Sequence, residues 1–336
     1  MIRRTVDLTP ADLASHSAII DVRSPSEFAL DHLPGAINLP VLDDAERAEV
    51  GTEYVQGSKF LARRRGAARV ARKIARHLDG PLSAFDGSFR PLIYCWRGGQ
   101  RSGAMATILD QVGWGVTVVE GGYQTWRRQV VQALYDTPLR HRLTLIDGPT
   151  GAGKTELLAK LSADGVQTLD LEALAEHRGS LFGAVGDQPS QKRFETRLHD
   201  ALQRLDPSQP VVVEAESSRI GALTLPPSLW AAMVAAPAVT LDTPVARRVE
   251  RILADYADIA GDPARLNAIL NRLPRHLSKA TVSRWLELAA DADLQTLVRE
   301  LIALHYDPAW RRGVRPETAA VDPDVRARIE SCAAGL

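Results

Sequence analysis

Cys95 opens the run Cys95, Trp96, Arg97, Gly98, Gly99, Gln100, Arg101, Ser102, directly after the apolar segment 91–94. The thiolate is the reactive form of cysteine, and it forms where the surroundings are positive. Gly98 and Gly99 let successive backbone N–H groups turn toward one point and make an anion nest. Arg97 and Arg101 add full charges. A helix starting near Ser102 would aim its positive end at the same place. Together these residues favour Cys95 as thiolate and an anion held against it. The competing reading is a buried structural cysteine beside a surface turn, which calls for neither paired glycines nor two arginines.

A second loop, Gly148, Pro149, Thr150, Gly151, Ala152, Gly153, Lys154, Thr155, fits the Walker A pattern G-x4-G-K-T and lies between a strand pattern and a helix pattern. Its N–H groups would wrap a diphosphate, Lys154 would supply a point charge, and the Thr155 hydroxyl can hold Mg²⁺. Such a loop reads diphosphate and leaves the rest of the ligand open. Residues 211–216, Val-Val-Val-Glu-Ala-Glu, resemble a Walker B strand. Glu214 or Glu216 could orient Mg²⁺ or a water; alternatively one caps the strand and the other is solvated. A chain with both loops is expected to move a chalcogen in a reaction that also handles a phosphorylated compound.

The elements that must hold these loops follow from apolar patterning. Strands are expected at 18–22, 36–39, 92–94 and 116–119, with helices at 61–77, interrupted at Gly66, and 103–112. A polar, basic stretch at 137–142 divides this block, 1–136, from a second, 137–336. The second restarts with strand 143–147, the Gly-rich loop and a helix at 154–161. It adds strands at 166–169, 211–214 and 238–241, then turns helical over 247–256, 264–270, 279–289 and 292–304. Strands alternating with helices predict an α/β fold with a parallel sheet in each block. The 336 residues suffice for two cores. Lys plus Arg and Asp plus Glu balance at 41 each, so nucleic-acid binding would depend on local basic patches. Two cysteines make neither a disulfide framework nor a zinc cluster and fit a reducing cytoplasm. The first residues lack the apolar core of a signal peptide, and no run of about 18 apolar residues suggests a membrane span. A cytoplasmic protein with no membrane partner is therefore expected.

Residues 19–28 (Ile-Ile-Asp-Val-Arg-Ser-Pro-Ser-Glu-Phe), 32–38 (His-Leu-Pro-Gly-Ala-Ile-Asn) and 120–126 (Glu-Gly-Gly-Tyr-Gln-Thr-Trp) stand around the cysteine loop and resemble a rhodanese domain over about residues 10–133. The resemblance implies that Cys95 carries sulfur or selenium, that Asp21 and Arg23 are scaffold and pocket-edge residues, and that His32 to Gly35 shape a turn. The spacing from Cys95 to Arg101 is C-x5-R, one residue longer than in many small sulfurtransferases and shared with cysteine phosphatases. It leaves room for a tetrahedral oxyanion such as phosphate or selenophosphate. Tyr94 stands where such phosphatases often have histidine.

The order rhodanese then P-loop resembles the bacterial tRNA 2-selenouridine synthases. Segments 171–180, 188–195, 213–221 and 305–308 carry the resemblance through the second block. It departs at Ala215, where the family pattern is acidic, which weighs against a metal role for that strand. The resemblance implies a rhodanese-like domain followed by a P-loop domain with a helical C-terminal part. It also implies two reactions at the tRNA wobble uridine: geranyl diphosphate alkylates 2-thiouridine, then selenium from selenophosphate replaces the geranylated sulfur. The partners implied are tRNA carrying 2-thiouridine derivatives and the enzyme that supplies selenophosphate. No tightly bound cofactor is expected, and Mg²⁺ could be held through Thr155. The rival readings are a rhodanese-fold phosphatase or sulfurtransferase fused to a P-loop kinase-like domain, and a non-enzymatic persulfide carrier or nucleotide sensor.

Residues 59–77 hold eight basic side chains and no acidic one. Among them Arg63, Arg64, Arg69, Arg72, Lys73 and Arg76 would contact the tRNA backbone, or else form a solvated face paired with acids. His177, Arg178, Gln188, Gln191 and Arg219, with Glu214 and Glu216, are candidates for a diphosphate or uridine site in the second domain; the alternative is helix caps and surface pairs. Arg247, Arg248 and Arg251 form either a phosphate lid or a solvated face. Trp96 would shield the selenium, stack a base, or merely wall the loop. Cys332 is expected to be inert.

Overall fold

The computed structural model describes residues 1–179, 183, 186–273, 277–313 and 321–334. They form two compact units, Met1–Thr137 with Pro189–Arg204, and Pro138–Gln188 with Leu205–Leu336. Each is α/β with a parallel sheet, as the alternating patterns predict.

In the first unit the strands are β1 (Arg3–Thr5), β2 (Ala18–Asp21), β3 (Ala36–Asn38), β4 (Pro91–Tyr94) and β5 (Thr117–Val119), in the order β1-β5-β4-β2-β3. All pairings are parallel. β4 is central and fully buried, so its residues are apolar throughout rather than alternating. Its C-terminal end releases the cysteine loop, and the helix that follows begins at Gln100, earlier than the expected 103.

The helix expected to break at Gly66 runs unbroken over Lys59–Asp79 and buries Ala62, Gly66, Val70 and Ile74, a four-residue repeat that marks one face. A side chain at Gly66 would meet Val50 Cγ1 at 3.3 Å. The glycine therefore permits close packing against the preceding helix, Asp44–Gln56, rather than ending a helix.

The segment expected to belong wholly to the second block also departs. Helix Gln191–Arg204 groups with the first unit. It buries Phe194, Leu198 and Leu202. Thr196 Oγ1 donates to Asp31 Oδ2 at 2.9 Å and accepts from Trp126 Nε1 at 3.1 Å. Glu195 pairs with Arg127 and accepts from the Tyr135 hydroxyl at 2.6 Å.

The second unit contains β6 (Leu143–Asp147), β7 (Thr168–Leu169), β8 (Val211–Glu214), the short strands β9 (Arg219–Ile220) and β10 (Leu223–Thr224), and β11 (Ala238–Thr240). A parallel sheet orders as β11-β6-β8-β7, and β9 and β10 pair antiparallel. β6 delivers the Gly-rich loop, and helix Lys154–Ala163 follows it. Beyond residue 244, helices Val245–Asp255, Pro263–Leu270, Lys279–Ala290 and Leu294–Leu301 share an apolar core around the fully buried Trp285. The helix expected to run through 304 passes into a π-helical turn at Ile302–Tyr306. Among the described residues no helix is long and apolar enough to cross a membrane.

Candidate active site

Cys95 is 3% exposed at the mouth of β4. Two donors point at its sulfur: the Gly99 N–H at 3.3 Å and the Ser102 hydroxyl at 3.2 Å. Burial is the largest influence on the thiol and pushes its pKa up. Hydrogen bonds from Ser102 and from loop N–H groups, with the nearby charge of Arg101, outweigh it and leave the pKa lowered. Arg101 is not free to swing: Glu27 Oε2 accepts from it at 2.8 Å and also accepts the Ser24 N–H at 3.1 Å. Arg97, the other expected charge, is exposed.

A second glycine pair closes the loop from behind. Tyr123 N–H donates to Cys95 O at 2.8 Å, and Gln124 N–H to Trp96 O at 3.2 Å. That approach requires glycine at 122, where φ is +61° and a Cβ would stand 2.3 Å from Cys95 O. Trp96 is half-buried and stacks at a tilt on Tyr123, ring centroids 5.3 Å apart. It walls the loop. Beneath lie Arg23 and Asp21, a fully buried ion pair at 2.6 Å, with the Arg23 guanidinium 4.1 Å from the Tyr123 ring centroid. This matches the scaffold role expected of them.

In the second unit Lys154 Nζ lies over the Gly-rich loop and donates to Gly148 O at 3.1 Å. Asp147 Oδ1 fixes the loop's start by accepting from Gly148 N–H at 2.6 Å and from Trp310 Nε1 at 2.9 Å. The arginines expected as a lid or a solvated face divide. Arg247 is exposed and pairs with Glu250. Arg248 is buried, donates to Thr150 O at 2.9 Å and holds Asp307 in a two-pronged ion pair. Arg251 donates to Gly151 O at 3.0 Å. Both brace loop carbonyls, while within the loop Gly148 N–H donates to Asp147 Oδ1 and Ala152 N–H to Pro149 O at 3.0 Å.

Beside Thr155 three carboxylates, Glu172, Glu214 and Glu216, offer ligand atoms all within 4.8 Å of one another. Glu214 ends β8, is 1% exposed, and among the described residues neither of its oxygens meets hydrogen-bond geometry with a partner. Burial pushes the Glu214 carboxyl up to about 7, against the pull of Lys154 and the Thr155 hydroxyl. Burial and the charges of Glu214 and Glu216 raise Glu172 as well. Orphaned buried carboxylate oxygens next to a loop threonine are the donor set that a hard divalent cation takes. The residues fit Mg²⁺ despite Ala215. Glu172 is no part of the Walker patterns in the sequence. It sits in helix Leu171–Ala175 and reaches the cluster because Gly179, at φ +62°, leaves a path that a Cβ would block at 2.0 Å from Glu172 Oε1. The acid within the segment that ends His177-Arg178-Gly179 was the available signal.

A cavity of about 350 Å³ opens beside this cluster and is lined by Thr155, Glu172, His177 and Arg178 among others. The His177 ring is desolvated, its pKa is lowered, and its buried Nδ1 has no partner among the described residues. Arg178 donates to Asp258 at 2.9 Å. The other expected members separate. Gln188 is a clamp, with Nε2 donating to Ala175 O and Ile220 O and Oε1 accepting from Ala222 N–H. Arg219 is exposed. Gln191 lies in the first unit and donates to Glu195 Oε1 at 2.9 Å. It leaves the expected second-domain group because its helix is amphipathic and its apolar side joins the first core.

The basic stretch splits too. Arg65, Arg69 and Lys73 pair with Glu53, Glu49 and Asp43 on and before helix Asp44–Gln56. Arg63 lies 3.4 Å from the Tyr54 hydroxyl. Arg64, Arg72 and Arg76 are exposed and have no acidic partner among the described residues. Cys332 is held at 3.3 Å from Asp164 Oδ2, whose charge and the local burial raise its pKa.

Comparison with known proteins agrees with this geometry. The tRNA 2-selenouridine synthase AAA domain matches residues 141–322, and the rhodanese-like domain matches residues 9–129. The chain is 38% identical over 255 residues to the tRNA 2-selenouridine synthase of Nitrosomonas europaea, covering 74% of this chain and 66% of that protein. It is 36% identical over 280 residues to the one of Nitrosomonas eutropha, covering 82% of this chain and 71% of that protein. With the tRNA 2-selenouridine synthase of Chromohalobacter salexigens the identity is 33% over 342 residues, covering 90% of each chain. The chain belongs to the tRNA 2-selenouridine synthase family.

Proposed function

We propose that the protein converts 2-thiouridine at the tRNA wobble position to 2-selenouridine in two steps. First, the thiocarbonyl sulfur attacks C1 of geranyl diphosphate: an S–C bond forms, the C–O bond breaks and diphosphate leaves. Second, selenium from selenophosphate displaces the alkylated sulfur at C2. The C2–S bond breaks, geranylthiol departs, and water takes the phosphoryl group as phosphate. Alkylation turns a poor leaving sulfur into a good one.

The observation that carries this reading is the pairing of two prepared anion sites in one chain. At the Gly-rich loop, Lys154 and the N-terminus of helix Lys154–Ala163 would stabilise the charge that grows on the departing diphosphate. Glu214, Glu216, Glu172 and Thr155 would hold Mg²⁺, which supplies further neutralisation of diphosphate charge. At the other site Ser102 and the Gly99 N–H hold Cys95 toward the thiolate, the form needed to act on a selenium donor. Arg101, tied to Glu27, contributes charge beside the thiol. Within 59–77, Arg64, Arg72 and Arg76, exposed and without an acidic partner among the described residues, would meet tRNA phosphates.

The test is turnover with purified protein, thiolated tRNA, geranyl diphosphate and Mg²⁺ in the absence of nucleotide. S-geranyl-2-thiouridine should accumulate, and Lys154→Ala should abolish it. A strict ATP requirement would overturn the assignment and revive a kinase-like domain.

A further inference from the structure

A groove of about 880 Å³ runs between helices Asp44–Gln56 and Lys59–Asp79 and ends against the cysteine loop, which contributes Gln100 and Arg101 to its wall. Its lining includes Leu42, Val50, Ala62, Ala67, Val70 and Ala104. Three guanidiniums, Arg47, Arg63 and Arg101, one from each of three helices, also line it, and two of them share Glu27, at 3.8 Å and 2.8 Å. Helix Asp44–Gln56 has no fully buried residue, and two of its groove-lining side chains are exposed, Tyr54 at 39% and Val55 at 81%. An apolar trough with cationic groups, one end of it formed by the residues around a reactive thiol, complements a flexible apolar chain attached to an anionic strand. Its size falls in the range of small-molecule sites.

We infer that this groove seats the geranyl chain of the S-geranyl-2-thiouridine nucleotide while the C2–S bond is broken beside Cys95. The assignment rests on the proposed two-step reaction and gives its second step a specificity site. The chain buries against Val50, Ala67 and Val70, and Arg63 and Arg47 face the flanking phosphates. Burial of the chain then selects the alkylated nucleotide over its unalkylated precursor, because each methylene removed from water adds to affinity.

The experiment compares anticodon stem-loops carrying S-geranyl- or S-methyl-2-thiouridine, which share the thioether and differ in the chain. Binding is read by fluorescence anisotropy and selenation by nucleoside mass spectrometry. The wild type should bind the geranyl form at least tenfold more tightly and convert it with a correspondingly higher kcat/KM. Ala67→Trp and Thr52→Trp fill the groove from opposite walls at exposed positions. Each should erase the geranyl advantage and leave the S-methyl substrate within about twofold, the latter also showing that the variant is folded. Unchanged geranyl preference in both variants overturns the inference. So does equal loss on both substrates. Geranyl-selective binding without any selenation would sustain the groove and remove the reaction instead.

Discussion

Replacing Ser102 with alanine removes one of the two donors on the Cys95 sulfur while leaving the loop's backbone path unchanged. The hydroxyl stands 3.2 Å from the sulfur, and it also lies 3.3 Å from Gly99 O, so its proton is shared. A hydrogen bond to a charged group contributes about 1.5–3 kcal/mol, and one pKa unit corresponds to about 1.4 kcal/mol. The sharing places the effect at the lower end, so the thiol pKa should rise by about one unit. The direction follows from the balance at the site: burial already disfavours the thiolate, and Ser102 leads the groups opposing it. Thiolate absorbance near 240 nm, followed against pH in a Cys332→Ser background, reads the ionisation without depending on reagent access to a sulfur 3% exposed. Below the new midpoint, selenation should slow in proportion to the lost thiolate, and geranylation should not change. A midpoint that stays put would show that the backbone N–H groups and Arg101 hold the thiolate alone, and would refute the role given to the hydroxyl.

Replacing Arg64, Arg72 and Arg76 with alanine should weaken tRNA binding and reduce the slope of log affinity against log salt by about 2–3, since each released phosphate contact carries about 0.7–0.9. The matching replacement of Arg65, Arg69 and Lys73 should change the slope little, because those charges already neutralise Glu53, Glu49 and Asp43; equal slopes for the two triples would assign the whole helix to ordinary surface. Glu214→Gln should raise the melting temperature by a few degrees at pH 8 without Mg²⁺. The folded carboxyl titrates near 7, above its unfolded value, so ionisation costs stability as pH rises through that window and the full cost is present above it. The same variant should lose the stabilisation that Mg²⁺ gives the wild type, and Mg²⁺ protection equal to wild type would remove the carboxylates from metal binding.

Much of the site is legible in sequence because it is local. The cysteine loop and the Gly-rich loop each lie within eight residues after an apolar strand, and the glycines between them need no distant information. What lies across the fold is harder to read. Glu27 restrains Arg101 from 74 residues away. Glu172 joins Glu214 and Glu216 from a separate element, and Gly179 leaves its side chain room to do so. Gly66 reads as a helix break by propensity, yet close packing against Val50 overrides the local preference. Helix Gln191–Arg204 follows the Gly-rich block in sequence, but its buried Thr196 completes hydrogen bonds to Asp31 and Trp126, contacts that no linear pattern announces. The basic stretch shows the opposite limit. Its charge is evident, and which charges remain unpaired depends on the acidic helix folded against it.

The most direct test of the two-step account is nucleoside mass spectrometry of thiolated tRNA incubated with Cys95→Ala protein, geranyl diphosphate, selenophosphate and Mg²⁺. The account predicts that S-geranyl-2-thiouridine accumulates at close to the wild-type rate and that no 2-selenouridine forms. Normal 2-selenouridine formation by that variant would contradict the role of the thiol loop, and loss of the geranylated intermediate would contradict the assignment of alkylation to the Gly-rich loop.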